Sequence, residues 1–466
     1  MKHTQQENRI FQSIYLKNEF CISVQQKIYL FLKKQIINQI KTHQSFKQKN
    51  KKMLSRILTR HFSLWAGVPK APPDPVLGVA EAFKKDPATN KVNLSVGAYR
   101  DDNGKPVVLE CVKRAQQIVI EKNLDNEYLP IQGNDVFTHA ALKLGYGDAF
   151  YNSNKDRLAG VQVLSGTGAL RTGFDFLKKF LPAETTVYVP NPTWPNHNNI
   201  ARDAGFKVEF YTYYDPATKS VNFSKLLDEA KTFKNGSVFI LHACAHNPTG
   251  CDLSISQWKE LRDVFLKKNH IAFMDMAYQG FTSGDCQKDS EAVRLFADSN
   301  VNMLLGQSFA KSMGLYGQRI GSLSVLTQNA NETQNVLSQL KQVIRPNISS
   351  PPLHGARIAE IILTNPELLQ LWYREVKIMA DRIAQMRVQL VKNLKDVGSQ
   401  HDWSHITNQR GMFAYTGVNK QQVESLINDY HIYLVGSGRI SIAGLNTKNV
   451  GYVAEAFHNV TKNSKV

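Results

Sequence analysis

From about residue 107 onward the chain alternates short apolar runs with longer stretches of helical periodicity. The runs at 161–164, 186–189, 207–211, 237–242, 271–274 and 303–306 are too short for helices and are rich in residues that suit strands. Between them, 169–180 and 256–268 carry helical spacing, with a tight turn, Ser165-Gly166-Thr167-Gly168, ahead of the first. Fully apolar strands separated by helices predict a mostly parallel sheet covered on both faces.

A second pattern follows. Asn365-Pro366-Glu367 is a helix start, with Asn as cap and Pro in the first turn. Val376, Met379, Ile383, Met386, Leu390 and Leu394 form one apolar stripe, and Gly398 ends it near Asp396. A helix of that length suits a bridge between two lobes. Beyond it, 411–415 and 438–442 are strands of a smaller α+β unit. Upstream, 64–75 is a Pro-rich extended arm, a helix is expected near 75–85, 93–99 is strand-like and 101–104 is a turn.

The fold class is therefore α/β: a large domain with a mostly parallel sheet flanked by helices, plus a smaller α+β domain. The expected boundaries are a leader at 1–52, a transit peptide at 53–64, an arm and part of the small domain at 65–106, the large domain at 107–378 and the small domain at 379–466.

Charge changes the picture at one end only. Residues 1–73 hold fourteen Lys/Arg against two Glu, so they carry +12 of the total +18. Nucleic-acid binding needs a basic face on the folded part, and none stands out there. Residues 53–63, Met-Leu-Ser-Arg-Ile-Leu-Thr-Arg-His-Phe-Ser, have the make-up of a mitochondrial transit peptide, which places the mature protein in the matrix. Ile28, Leu32, Ile36 and Ile40 give the leader a second basic amphipathic pattern. No apolar run approaches the roughly 18 residues that span a bilayer, so stable membrane insertion is not expected. Five cysteines without a C-x-x-C pair argue against a disulfide frame or a zinc site.

Candidate chemistry centres on Lys311. It lies in the small-residue stretch 307–319, with Ser308 three residues before it and Arg319 eight after. A lysine amine condenses with aldehydes, and a Ser with an Arg holds a phosphate; the aldehyde-bearing phosphate that docks on lysines is pyridoxal phosphate. A solvated surface lysine is the plain alternative. Strand 161–164, the Gly166 turn and the following helix form an anion cradle, with the Thr167 hydroxyl as an added donor. Asp275 ends strand 271–274, where ligands sit in open α/β sheets. A carboxylate there would keep a pyridine nitrogen protonated, and Tyr278 could donate to the ring's phenolate oxygen; a helix cap is the alternative for Asp275. Asn247, in Asn-Pro-Thr-Gly, also follows a strand, although the motif is an ordinary turn. Trp194 could stack on a flat ring or simply pack in the core. Arg345 and Arg439 suit two carboxylates, because a guanidinium fork grips a carboxylate bidentately. Gly166-x-Gly168 starts like a dinucleotide fingerprint, but Arg171 stands where the third Gly belongs.

These motifs together resemble the class I PLP-dependent aminotransferase family (fold type I), and its mitochondrial aspartate aminotransferases most. The resemblance runs from about residue 65 to 462 and is densest at 93–106, 127–131, 165–171, 241–250, 275–281 and 306–321. It implies that Lys311 is the Schiff-base lysine and proton shuttle, and that Asp275 partners the pyridine nitrogen with His197 behind it. It implies Tyr278 and Asn247 at the phenolate oxygen and Trp194 on the ring. Gly166, Thr167, Ser308 and Arg319 would hold the phosphate, joined by Tyr128 of a neighbouring subunit. Arg439, near Gly97, would clamp the α-carboxylate, and Arg345 from the neighbour the side-chain carboxylate. The implied protein is a homodimer with shared active sites. It exchanges amino groups between L-aspartate and 2-oxoglutarate by a ping-pong mechanism, forming oxaloacetate and L-glutamate. Aromatic or kynurenine specificity on the same scaffold is the rival. Ser350 stands where Asn is expected, Arg410 where an apolar residue is, and Pro195 directly follows Trp194.

A complete presequence begins at Met53, so residues 1–52 are expected to be upstream sequence outside the translated protein. Mass spectrometry of the endogenous protein should yield no peptide from 1–52, and one such peptide ends the idea.

Overall fold

The computed structural model describes residues 26–34, 63–72, 74 and 76–463. Contacts divide the chain into Met1–Pro72 and Pro73–Val466. In the first unit, residues 26–34 form an exposed helix that includes Ile28 and Leu32, and a turn covers 64–67. Ile36, Ile40 and residues 53–62 lie outside the described residues.

The described residues of the second unit form thirteen strands. They are β1 (Val92–Asn93), β2 (Leu158–Leu164), β3 (Thr186–Asn191), β4 (Lys207–Thr212), β5 (Tyr214–Asp215), β6 (Ser220–Val221), β7 (Val238–His242), β8 (Ile271–Met276), β9 (Met303–Ser308), β10 (Ile320–Leu326), β11 (Phe413–Tyr415), β12 (Ile432–Tyr433) and β13 (Arg439–Ser441). Seven form one sheet in the order β2-β10-β9-β8-β7-β3-β4. Only β10 runs against its neighbours; β3, β4, β7, β8 and β9 pair in parallel.

Both faces of this sheet are buried, as its apolar strands predict. Side chains alternate between the faces with the period of two that a pleated strand imposes. Phe239, Leu241, Ala272, Met274, Met303 and Leu305 join one hydrophobic cluster. Val238, Ile240, Phe273 and Leu304 join another on the opposite face, with Phe174 and Leu177 of the helix Ser165–Phe180.

The helix Pro366–Asp396 starts where Asn365 accepts hydrogen bonds from the amides of Glu367 (2.9 Å) and Leu368 (3.2 Å). Its whole expected stripe is buried. That stripe packs into a third cluster with residues of Val450–Thr461 and of the pairs β11–β13 and β1–β12.

Three expectations change in detail. The turn at 165–168 is already helical, and what remains of it is Ser165, at φ 62. Gly168 serves close helix–strand packing instead, since a Cβ there would lie 2.8 Å from Leu164 Cβ. Strand 93–99 shrinks to β1, and its remainder runs irregularly past the cleft described below. Strand β10 went unforeseen because Gly321, Ser322 and Ser324 break its apolar run. These serines are fully buried and satisfied by Gln307 Oε1 and the Tyr146 hydroxyl, both at 3.0 Å.

Leu390 is fully buried at the middle of the stripe. Leu390→Ala should cost about 2–5 kcal/mol, the usual range for such a truncation. A urea-unfolding midpoint that moves by less than about 1 kcal/mol in equivalent free energy would contradict this packing.

Candidate active site

The parallel order brings the carboxyl ends of β2, β3, β7, β8 and β9 to one edge of the sheet, and the reversed β10 starts there. The loops leaving those ends enclose a cleft of about 430 Å³. A hollow of about 490 Å³ opens near the starts of β3, β8 and β9, but its charged residues Glu184, Lys234 and Glu332 are all exposed. Size does not choose between the two; chemistry does. The cleft of 430 Å³ is lined by Gly97, Gly166, Thr167, Trp194, Asn247, Asp275, Tyr278, Lys311, Arg319 and Arg439.

Asp275 sits within β8, one residue before its end rather than closing it. It is 7% exposed, and its Oδ2 lies 3.0 Å from His197 Nε2. His197 is fully buried on the helix Asn196–Asp203. Its Nδ1 lies 2.7 Å from Thr193 Oγ1, which is also 3.4 Å from His242 Nε2. Burial is the largest single influence and favours the neutral form of Asp275, but the His197 hydrogen bond and the electrostatic pull of His197, His242 and Lys311 together outweigh it, and the carboxyl titrates below its ordinary range. Burial holds His242 down to about 3, so that ring is neutral.

Lys311 follows β9, with its Nζ 5.0 Å from the Tyr278 ring centroid. Burial pushes its pKa below the usual lysine range; Asp275 pulls it back up and Arg319 adds to the lowering. The backbone beside it is pinned by Trp372, whose indole donates to the Ser312 carbonyl at 2.8 Å. Burial raises the Tyr278 phenol above its ordinary pKa, against the Arg439 charge, so it remains a donor. The Asn247 side chain hydrogen-bonds it.

An anion cradle forms at the N-terminus of Ser165–Phe180. Gly166 leaves open the space between Ser308 Cβ and Asp275 Oδ1, 3.6 and 3.8 Å from where its own Cβ would be. The Ser165 and Ser308 hydroxyls are 2.8 Å apart. Arg319, left-handed at φ 51, is exposed and donates to the Tyr316 carbonyl at 3.0 Å.

Arg439 is 4% exposed. It donates to the Ser95 carbonyl and, at 3.3 Å, to Asn247 Oδ1. Its guanidinium carbon stands 4.2 Å from the Phe413 ring centroid. Its buried Nε has no partner among the described residues, and burial lowers its pKa to about 10. A buried guanidinium with a spare donor and no carboxylate is an anion site. Gly97 is required beside it, since a Cβ there would meet Phe413 Cζ at 2.6 Å.

Of the foreseen residues, His197 and Ser308 are buried and not on the lining, and Tyr128 and Arg345 are exposed and not on it. Tyr128 is 84% exposed. Arg345 is exposed on the helix Ala330–Ile348 and donates to Ser349 Oγ at 2.6 Å. Ser165, Thr193, His242 and Phe413 escaped notice as site residues. Only Phe413 offered a signal, its place just after Gly411-Met412. Arg410 is accommodated because its side chain is exposed, while its amide donates to the Gly250 carbonyl at 2.6 Å.

The family model described as aminotransferase class I and II matches residues 89–457. The chain is 50% identical over 419 residues to a Dictyostelium discoideum protein named "Aspartate aminotransferase, mitochondrial", which covers 90% of this chain and 97% of that one. An Arabidopsis thaliana protein of the same name is 51% identical over 402 residues, 86% of this chain and 93% of that one. Among solved structures, an aromatic-amino-acid aminotransferase from Burkholderia pseudomallei, covalently bound to pyridoxal phosphate, aligns at a TM-score of 0.82 and 43% identity. It covers 85% of this chain and 99% of its own. With the family model matching residues 89–457 and about half of the sequence shared with these relatives over most of its length, the chain belongs to the class I and II aminotransferase family.

Proposed function

We propose that this protein is a pyridoxal-phosphate-dependent aspartate aminotransferase. It moves the amino group between L-aspartate and 2-oxoglutarate, yielding oxaloacetate and L-glutamate. The observation that carries the reading is one cleft holding a half-buried lysine with lowered pKa, a buried aspartate held below its ordinary range and an anion cradle. The relatives' names supply the substrates and the mitochondrial location; the basic, Ser-containing leader agrees with the latter.

The residues fit the cofactor. Gly166, Thr167, Ser308 and Arg319 would hold its phosphate, Trp194 would cover its ring, and Asp275 would meet its ring nitrogen. When bound, pyridoxal phosphate supplies an aldehyde that condenses with amines and a ring that draws electrons from the substrate Cα. Asp275, held below its ordinary range, would stabilise positive charge at the ring nitrogen, and Tyr278 and Asn247 would donate to the oxygen beside the aldehyde. Lys311 Nζ is the base that takes the substrate's Cα proton and returns it, and its lowered pKa makes the free amine easier to form. Arg439 binds the α-carboxylate, orienting the Cα hydrogen toward Lys311.

We further propose a homodimer in which Tyr128 and Arg345 enter the neighbouring subunit's cleft. Support comes from their exposure: neither serves its own chain's cleft. The division into domains at 107–378 and 379–466 belongs to the same proposal. The aromatic rival rests on the Burkholderia pseudomallei likeness and on the same cleft. The two readings differ at the second carboxylate clamp.

Purified protein with pyridoxal phosphate should show a visible absorbance that aspartate shifts, and Lys311→Ala should abolish both the absorbance and turnover. Normal steady-state turnover in that variant refutes the lysine assignment. Arg345→Ala should lower kcat/KM for aspartate by about 100-fold, the scale of removing one partner from a charge pair, and leave aromatic amino acids nearly unchanged. Equal activity on aspartate before and after the change would favour the aromatic reading.

A further inference from the structure

A second buried guanidinium lies outside the cleft. Arg387, on the helix Pro366–Asp396, is 3% exposed. It forms no ion pair among the described residues. Instead its Nη1 donates to the Ile406 carbonyl at 2.9 Å, and its Nη2 to the carbonyls of Gly411 (2.7 Å) and Phe413 (2.6 Å). Burying a charge without a counter-ion is costly, and a well-packed apolar side chain would usually be cheaper. What the charge achieves is to tie together three carbonyls: one in the short helix Ser404–Asn408, one at Gly411 in the connection that follows, and one at Phe413, where β11 begins.

The stretch they span carries one wall of the substrate site. The Phe413 ring supports Arg439 from 4.2 Å, meets Tyr278 edge-on at 5.8 Å and packs where a side chain on Gly97 would stand. Gly411 packs against Ala245, leaving no room for a Cβ. Ala245 is two residues from Asn247, whose Oδ1 accepts from Arg439. Two of the three supports of Arg439, the Phe413 ring and Asn247, thus trace back to backbone that Arg387 holds; the third is the Ser95 carbonyl.

We propose that Arg387 is a positioning residue for substrate binding: by fixing the carbonyls of 406–413 it sets Phe413, and through it the orientation of Arg439 toward the substrate carboxylate. This deepens the proposed transaminase reading and rests on it.

The test uses the full chain loaded with pyridoxal phosphate. Arg387→Met should raise KM for both aspartate and 2-oxoglutarate by about tenfold, the scale of a lost charged hydrogen bond. The cofactor absorbance should be unchanged and kcat within about threefold of the parent. Arg387→Lys should recover part of the KM. Phe413→Leu should raise KM similarly with the Arg387 contacts intact, and its effect should fail to add to that of Arg387→Lys. If Arg387→Met does not fold, the Arg387→Lys and Phe413→Leu pair decides. Additive KM effects, or an unmoved KM in any folded Arg387 variant, overturn the proposal. A parent protein without transaminase activity strikes the proposed function instead; an active parent with unmoved KM strikes only this inference.

Discussion

The site depends on keeping one carboxylate charged inside the protein. Asp275 is nearly inaccessible, and an isolated buried carboxylate would take up a proton. His197 prevents that from 3.0 Å, and Thr193 fixes His197 from its other ring nitrogen. None of these groups is adjacent in sequence; the sheet brings them together. Parallel pairing sets His242 opposite Asp275 on neighbouring strands, and Thr193 leaves the end of β3, two strands away from β8 in the sheet order. A one-residue slip in β8 would turn Asp275 to the opposite face. The apolar alternation that locks the register therefore also aims the acid.

The same edge explains why the charges differ in role. The pKa values of Lys311, which is half-buried, and of Asp275, which is buried, both lie below their ordinary ranges. Desolvation acts against both; the hydrogen-bonding partner decides. Asp275 has one aimed at its charged form, whereas Lys311 gains only the more distant attraction of Asp275 and is opposed by Arg319. The result is an amine whose pKa is drawn down beside a carboxyl held below its ordinary range, a pairing that suits electron withdrawal and proton transfer.

Much of this was legible in the chain. The buried strands announced themselves as apolar runs, and the long helix through its Asn-Pro start and its stripe. The residues at strand ends could be singled out because that is where open sheets bind ligands. What stayed hidden was whatever depended on pairing. Strand β10 looked polar because Ser322 and Ser324 bury their hydroxyls against Gln307 and Tyr146, partners that exist only in the folded sheet. Thr193 and His242 matter only as links to His197, and no spacing reveals a relay that crosses three strands. Tyr128 and Arg345 look idle in one chain; the family resemblance alone marked Tyr128, and it added the neighbouring subunit to an Arg345 already singled out as a partner for a carboxylate.

Arg439 and Arg387 show how far burial alone carries an assignment. Both are almost fully enclosed, and burial lowers the pKa of each, to about 10 and about 9. By exposure or charge they are indistinguishable. They part on satisfaction. The terminal nitrogens of Arg387 are spent on three backbone carbonyls, so it has a structure to hold. Arg439 keeps an unpaired Nε beside a lysine and an aspartate, so its charge still seeks an anion. Arg387, bonded to backbone outside the cleft, is placed to stabilise a conformation, and Arg439, lining the cleft with a donor to spare, is placed to bind an anion. In the proposed reading the first steadies the second through the Phe413 ring and Asn247, so the proposed substrate clamp would take its geometry from a residue that never meets substrate.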